Sequence, residues 1–145
     1  MRATRNLTFF CAIAAGLGGW PAPLQAQDMM ATCAPEIGQY CSGVSRGRGR
    51  ILACLISRGD KLGAACNADV RAVARQGSRN PLVPPGVRKM LTSGQAGSIP
   101  GACSSDVAKF CSGISHSNER VLACLYSQSG NVSRSCSSQV RTALE

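Results

Sequence analysis

Three observations predict an all-α chain of two tandem disulfide-stapled units, each of about three short helices. Eight of the nine cysteines form two sets of four with one spacing, C-x7-C-x12-C-x11-C. Apolar residues around those cysteines recur with the 3.6-residue period of a helix rather than the two-residue period of a strand. The start of the chain has the order of an export signal, which places the cysteines where bridges form and persist.

Arg2 and Arg5 precede the apolar stretch from Leu7 to Gly19, and Pro21 and Pro23 break it ahead of Leu24-Gln25-Ala26. Residues 1–26 are therefore expected to be a signal peptide cleaved near Ala26, leaving a periplasmic or secreted product. The apolar run of about 13 residues falls short of the ~20 that span a bilayer as a helix, and no second such stretch follows. No transmembrane segment is expected in the mature chain. Cleavage removes Cys11, Arg2 and Arg5, so the 16 basic residues become 14 against 7 acidic ones, a net charge of +7. Phe9, Phe10 and Trp20 leave too, and Tyr40, Phe110 and Tyr126 remain as the aromatics. So small an aromatic payload makes a marginal core, for which covalent staples are the usual remedy.

The repeat is one of residues, not of cysteines alone. Cys33, Cys41, Cys54 and Cys66 recur 70 positions later as Cys103, Cys111, Cys124 and Cys136, and 14 of 43 aligned positions are identical without a gap. CSGVS at 41–45 matches CSGIS at 111–115, and RILACL at 50–55 matches RVLACL at 120–125. Such self-similarity marks a duplicated unit. Repeat one is placed at 27–75 and repeat two at 103–145. Between them, 76–102 holds Pro81, Pro84, Pro85 and Pro100 with several glycines and reads as a linker. Residues 84–94 within it have Pro at the start and Gly at the end, the asymmetry of a short helix.

Within each unit the elements follow in order. Cys33, Ile37, Tyr40, Cys41 and Val44 share one helical face, as do Cys103, Val107, Phe110, Cys111 and Ile114. A second helix is expected over about 49–58, with Ile51, Leu52, Cys54 and Leu55 apolar. A third carries Leu62, Cys66, Val70 and Val73, with Asp60 as its N-cap and Asn131 or Ser133 capping its copy. Glu36 and Asp106 fall in the first turn of their helices, where a negative charge suits the dipole.

Geometry narrows the pairing. Cysteines eight apart on one helix have Cα atoms ~12 Å apart, beyond the ~7 Å reach of a disulfide. Cys33–Cys41 is thereby disfavoured, and two pairings within a unit remain. In an antiparallel hairpin Cys41 lies level with Cys54, and the returning third helix brings Cys66 beside Cys33. The nested pattern follows: Cys33–Cys66, Cys41–Cys54, Cys103–Cys136 and Cys111–Cys124. Four cysteines could instead hold a zinc ion, but such sites bring ligand pairs two to four residues apart, which this spacing lacks. No cofactor is expected.

The residues offer little catalytic chemistry. His116 is the single histidine, and Arg46 fills its place in the first unit. Such a position reads as a solvated loop site rather than a general base, and no nucleophile–base spacing accompanies it. The segment SGVSRGRGRILACL suggests a polyanion contact through Arg46, Arg48 and Arg50. Its copy, SGISHSNERVLACL, keeps only the last arginine. Arg50 and Arg120 are accordingly expected to be structural, at the start of helix two and bonding the last carbonyls of helix one.

The spacing C-x7-C-x12-C-x11-C, with C-S-G-[VI]-S at the second cysteine and R-[IV]-L-A-C-L around the third, resembles the cysteine-rich repeat of the Golgi apparatus protein 1 family. That family is also called the cysteine-rich fibroblast growth factor receptor family. The resemblance covers 33–75 and 103–145 and implies a small, two-repeat, exported bacterial-type member. Large animal members are Golgi membrane glycoproteins with many repeats, reported to bind growth factors and a selectin, whereas this chain has two repeats. What the resemblance implies for the eight cysteines and the Arg–apolar–Leu–Ala–Cys–Leu segments is a structural role.

The expected function is that of an exported, non-enzymatic binding or scaffolding module. Its positive charge favours an anionic polymer, a membrane surface or an acidic protein as partner. Nucleic acid is disfavoured, because stacking aromatics are scarce and Tyr40 and Phe110 fall on core faces. The alternative is a small exported enzyme or thiol-redox protein of unknown substrate.

Overall fold

The computed structural model describes residues 24–79, 87, 88, 90, 91, 98–115 and 117–144, and every described element is helical. In the first unit these are α1 (Leu24–Thr32), α2 (Ala34–Tyr40), α3 (Arg50–Ser57) and α4 (Ala64–Arg79). In the second, a 3-10 turn (Gly101–Cys103) leads into α5 (Ser104–Phe110), α6 (Asn118–Ser127) and α7 (Arg134–Leu144). None of the described helices is long and apolar enough to cross a membrane. Most of the signal segment, and most of 84–94, lie outside the described residues; Val87, Arg88, Met90 and Leu91 are helical. The expected cleavage point after Ala26 falls in the first turn of α1.

The first helix of the unit is shorter than the apolar period suggests. Helical hydrogen bonds run continuously through Cys33, whose N–H donates to Met29 O at 2.9 Å and whose carbonyl accepts from Ile37 N at 2.8 Å. Pro35 at the start of α2 lacks an N–H and crowds the preceding turn, so α1 and α2 are separate helices meeting at Cys33. At the other end α2 stops at Tyr40, and Val44 sits in the following turn with its N–H on Cys41 O at 3.0 Å. That turn still buries Val44, as its copy buries Ile114, so the apolar period records burial rather than helix length.

Two disulfides hold the α2–α3–α4 set and two more hold its copy. Cys33–Cys66 and Cys103–Cys136 tie the start of the first helix to the first turn of the third, with Cα atoms 4.9 and 4.7 Å apart. Cys41–Cys54 and Cys111–Cys124 tie the end of the first helix to the second, at 6.1 and 5.9 Å. The sequence separations are 33 and 13 in both units. Loop-closure entropy then assigns about 4 kcal/mol to each long bridge and about 3 kcal/mol to each short one. Ser57 and Ser127, buried in matching places, each donate to the carbonyl three residues back, Cys54 O and Cys124 O, at 2.7 Å. A buried hydroxyl is thus satisfied inside its own helix.

Each unit has a core of its own, and the two are joined through their middle helices. Leu55, Val70 and the four cysteines fill the first, with Met29 from α1 added to it. Leu122, Leu125, Val140 and Leu144 fill the second. Ala53 is 2% exposed and belongs to the core of the second unit, and its counterpart Ala123 is fully buried there. Alanine at this place lets the backbones of α3 and α6 approach closely. The contacts are reciprocal: Tyr126 Oη, at the end of α6, donates to Arg48 O ahead of α3 at 2.7 Å, and Ile56, its counterpart, packs against the second core. Start meets end in this way only if α3 and α6 run antiparallel.

Candidate polyanion-binding surface

The RGRGR loop is shaped by its glycines. Gly47, Arg48 and Gly49 have φ of 97°, 51° and 72°, three left-handed residues in succession. Glycine adopts this region without a steric cost, whereas Arg48 does so against its preference. The loop turns its carbonyls inward, and Arg50 clasps them: Nε donates to Ser45 O at 2.9 Å and Nη2 to Arg46 O at 2.7 Å. The acceptors lie in the loop, beyond the end of α2 at Tyr40, and not in helix one as its place at the start of helix two suggests. Arg50 is therefore a loop clasp. Arg46 and Arg48 are exposed, and among the described residues their guanidinium groups make no ion pair or hydrogen bond.

Arg120, the counterpart of Arg50, turns elsewhere. Its Nη1 donates to Ser115 Oγ at 2.5 Å and pairs with Asp60 Oδ1 of the first unit at 3.0 Å. Ser115 Oγ also donates to Asp60 Oδ2 at 3.3 Å. Asp60 is thus no N-cap: α4 begins at Ala64, and Asp60 faces the neighbouring unit instead. The amides before the third helices are met by the first-turn carboxylates, which cross from helix one. Gly63 N donates to Glu36 Oε1 at 3.1 Å. In the second unit Ser133 N and Oγ donate to Asp106 Oδ1 and Oδ2 at 3.1 and 2.7 Å, and Ser133 Oγ accepts from Cys136 N at 3.3 Å. Ser133 is the cap; the Asn131 side chain instead donates from Nδ2 to Gln128 Oε1 at 2.8 Å.

A second group of cations lies on α4. Arg71, Arg75 and Arg79 follow at intervals of four, are exposed, and among the described residues make no ion pair or side-chain hydrogen bond. Residues four apart share a face and rise about 6 Å per step, so the three guanidinium groups form a row some two turns long. The opposite side of α4 buries Cys66, Val70 and Ala74. The apolar period of this helix is conspicuous in the sequence, and the arginine period beside it is the signal that locates the row. All eight described cysteines are in disulfides, so their sulfurs are engaged. His116 lies outside the described residues.

Tyr40 and Phe110 are half-buried against the first and second cores. Tyr126 has its hydroxyl tied to the RGRGR loop. Residues 98–133 match the family model Cys_rich_FGFR, described as a cysteine rich repeat. The match takes in Cys103, Cys111 and Cys124 and supports the resemblance that the cysteine spacing suggests. No curated protein and no solved structure matches the chain.

Proposed function

We propose that the chain is an exported, non-enzymatic module that binds an extended anionic polymer, of the kind an acidic polysaccharide provides, along α4. The observation that carries this reading is the row Arg71–Arg75–Arg79, exposed and without carboxylate partners among the described residues, on a chain with net charge +9, or +7 after signal removal. Unpaired cations in series attract a chain of anions, and the attraction weakens with salt. Arg46 and Arg48 add cations on the α2–α3 loop. Four disulfides suit an oxidising compartment and hold the helices that present the row. Scarce free aromatics favour a polymer that needs no stacking over nucleic acid.

Salt-gradient elution from a sulfated polysaccharide resin tests the reading. Arg71→Ala/Arg75→Ala/Arg79→Ala is expected to elute at clearly lower salt than the parent, and Arg46→Ala/Arg48→Ala to shift less. Elution of the triple variant with the parent overturns it. Thiol titration of the folded protein is expected to find no free thiol among the eight; a reactive thiol would favour the redox alternative.

A further inference from the structure

A second binding feature lies between the units, away from the arginine row. A groove of about 700 Å³ opens beside the α3–α6 contact. Its walls come from α3 and the loop before it, from Gly77 of α4, from helical residues of the linker, from the end of α6 and from α7, with Leu52, Met90, Leu91, Val140 and Leu144 as the apolar surface. Leu52 and Leu91 are only partly buried, so the protein leaves apolar surface open here. Arg48, Arg50 and Arg141 line the same groove, and among the described residues no Asp or Glu does. Arg50 is occupied by the loop carbonyls, whereas among the described residues Arg48 and Arg141 make no ion pair or side-chain hydrogen bond.

Volume, lining and charge point to one kind of occupant. Small-molecule sites run roughly 300–1,000 Å³, mostly apolar with a few polar groups that orient the ligand. A neutral apolar molecule would leave the arginines unused. A second copy of this basic chain would bring its own positive charge against them. We propose that the groove binds a single-chain amphiphilic carboxylate, its acyl chain along the apolar wall and its head group at Arg48 and Arg141. The site is assembled from both units and the linker, so neither repeat possesses it alone.

Titration calorimetry on the full, disulfide-bonded chain with hexanoate, octanoate, decanoate and dodecanoate, below their aggregation limits, tests this. Burial of each further CH2 tightens binding up to about fourfold, so two added carbons are expected to lower Kd by roughly tenfold. Arg141→Ala should weaken dodecanoate several-fold while keeping the chain-length slope. Leu52→Glu, which sets a carboxylate on the wall, should abolish binding while the helical circular dichroism is retained. Arg71→Ala/Arg75→Ala/Arg79→Ala should leave it unchanged, which separates this site from the polymer surface. The proposal is overturned by an affinity independent of chain length, or by equal binding of dodecyltrimethylammonium. A self-association that dodecanoate does not reverse would assign the groove to a second copy and also overturn it.

Discussion

The two units share their cysteine spacing and bridges but solve two local problems differently. At the start of the third helix, Asp106 is 7% exposed and receives both the amide and the hydroxyl of Ser133. Glu36, in the same place, receives only the amide of Gly63, and its buried Oε2 has no partner. At the start of the second helix, Arg50 clasps its own loop while Arg120 reaches across to Asp60. The cause lies on the opposite unit: the position equivalent to Asp60 is Gly130, which offers Arg50 no carboxylate. The glycine-rich loop of the first unit instead folds its carbonyls toward Arg50. In the second unit Asn118 and Glu119 take helical conformation, so α6 starts two residues earlier than α3. A duplicated sequence thus keeps its covalent frame and diverges where one side chain can replace another as partner.

The largest effects should come from the long bridges. Cys33→Ser/Cys66→Ser and Cys103→Ser/Cys136→Ser open loops of the same length, so the entropic loss is about 4 kcal/mol for each. A difference in denaturant midpoint between them then reports the non-covalent strength of each unit. The first unit is expected to lose more, because its third helix has the poorer cap. Next, Ala123→Leu should cost roughly 1–3 kcal/mol through overpacking of the α3–α6 contact, measured by thermal melting with a folded control at exposed Ala143.

Asp106→Ala should destabilise by about 2 kcal/mol, since it removes two charge-assisted bonds and leaves the Ser133 amide without its acceptor. Glu36→Ala should cost about half that, having one bond to lose. The transplant Glu36→Asp/Gly63→Ser should recover up to about 1 kcal/mol for the first unit; a Cβ at Gly63 meets Glu36 Oε1 at 3.1 Å in the parent, so the shorter Asp is part of the design. The smallest effect belongs to Arg120–Asp60. Its side chains are 29% and 46% exposed, and a double-mutant cycle should give below about 1 kcal/mol, shrinking with salt. Gly130→Asp would offer Arg50 the missing carboxylate; no atom lies within 4 Å of the Cβ it adds. A new salt dependence of the melting temperature would show the pair formed.

The contrast also shows what a sequence discloses. Helix content and the neighbourhood of the bridged cysteines follow from spacing, because disulfide geometry and helical rise are local and stiff. The end of helix one was not legible, since Val44 keeps the period while the chain is already turning. Nor was the continuation of α4 to Arg79, four residues into the segment read as linker: Gln76-Gly77-Ser78 weakens a helix without stopping it. Asp60 looks like a cap because capping is judged from one segment alone. Its true partner, Arg120, is 60 positions away and depends on how the units pack. The arginine row was present as a period of four but is meaningful only once the buried side of α4 is known. The groove could not be read at all, because it is made of segments from both units and the linker that meet only in the folded chain.

The nested bridges have a consequence for proteolysis of an arginine-rich loop. Arg46 and Arg48 are exposed between Cys41 and Cys54, a natural cut site for a trypsin-like enzyme. Such a cut leaves Cys33 and Cys41 on one fragment and Cys54 and Cys66 on the other, so both disulfides of the unit span the break. The nicked protein stays one molecule until it is reduced, and would run as a single band without reductant and as two with it. Cutting the loop costs the clasp at Arg50 and the connection, but not the frame.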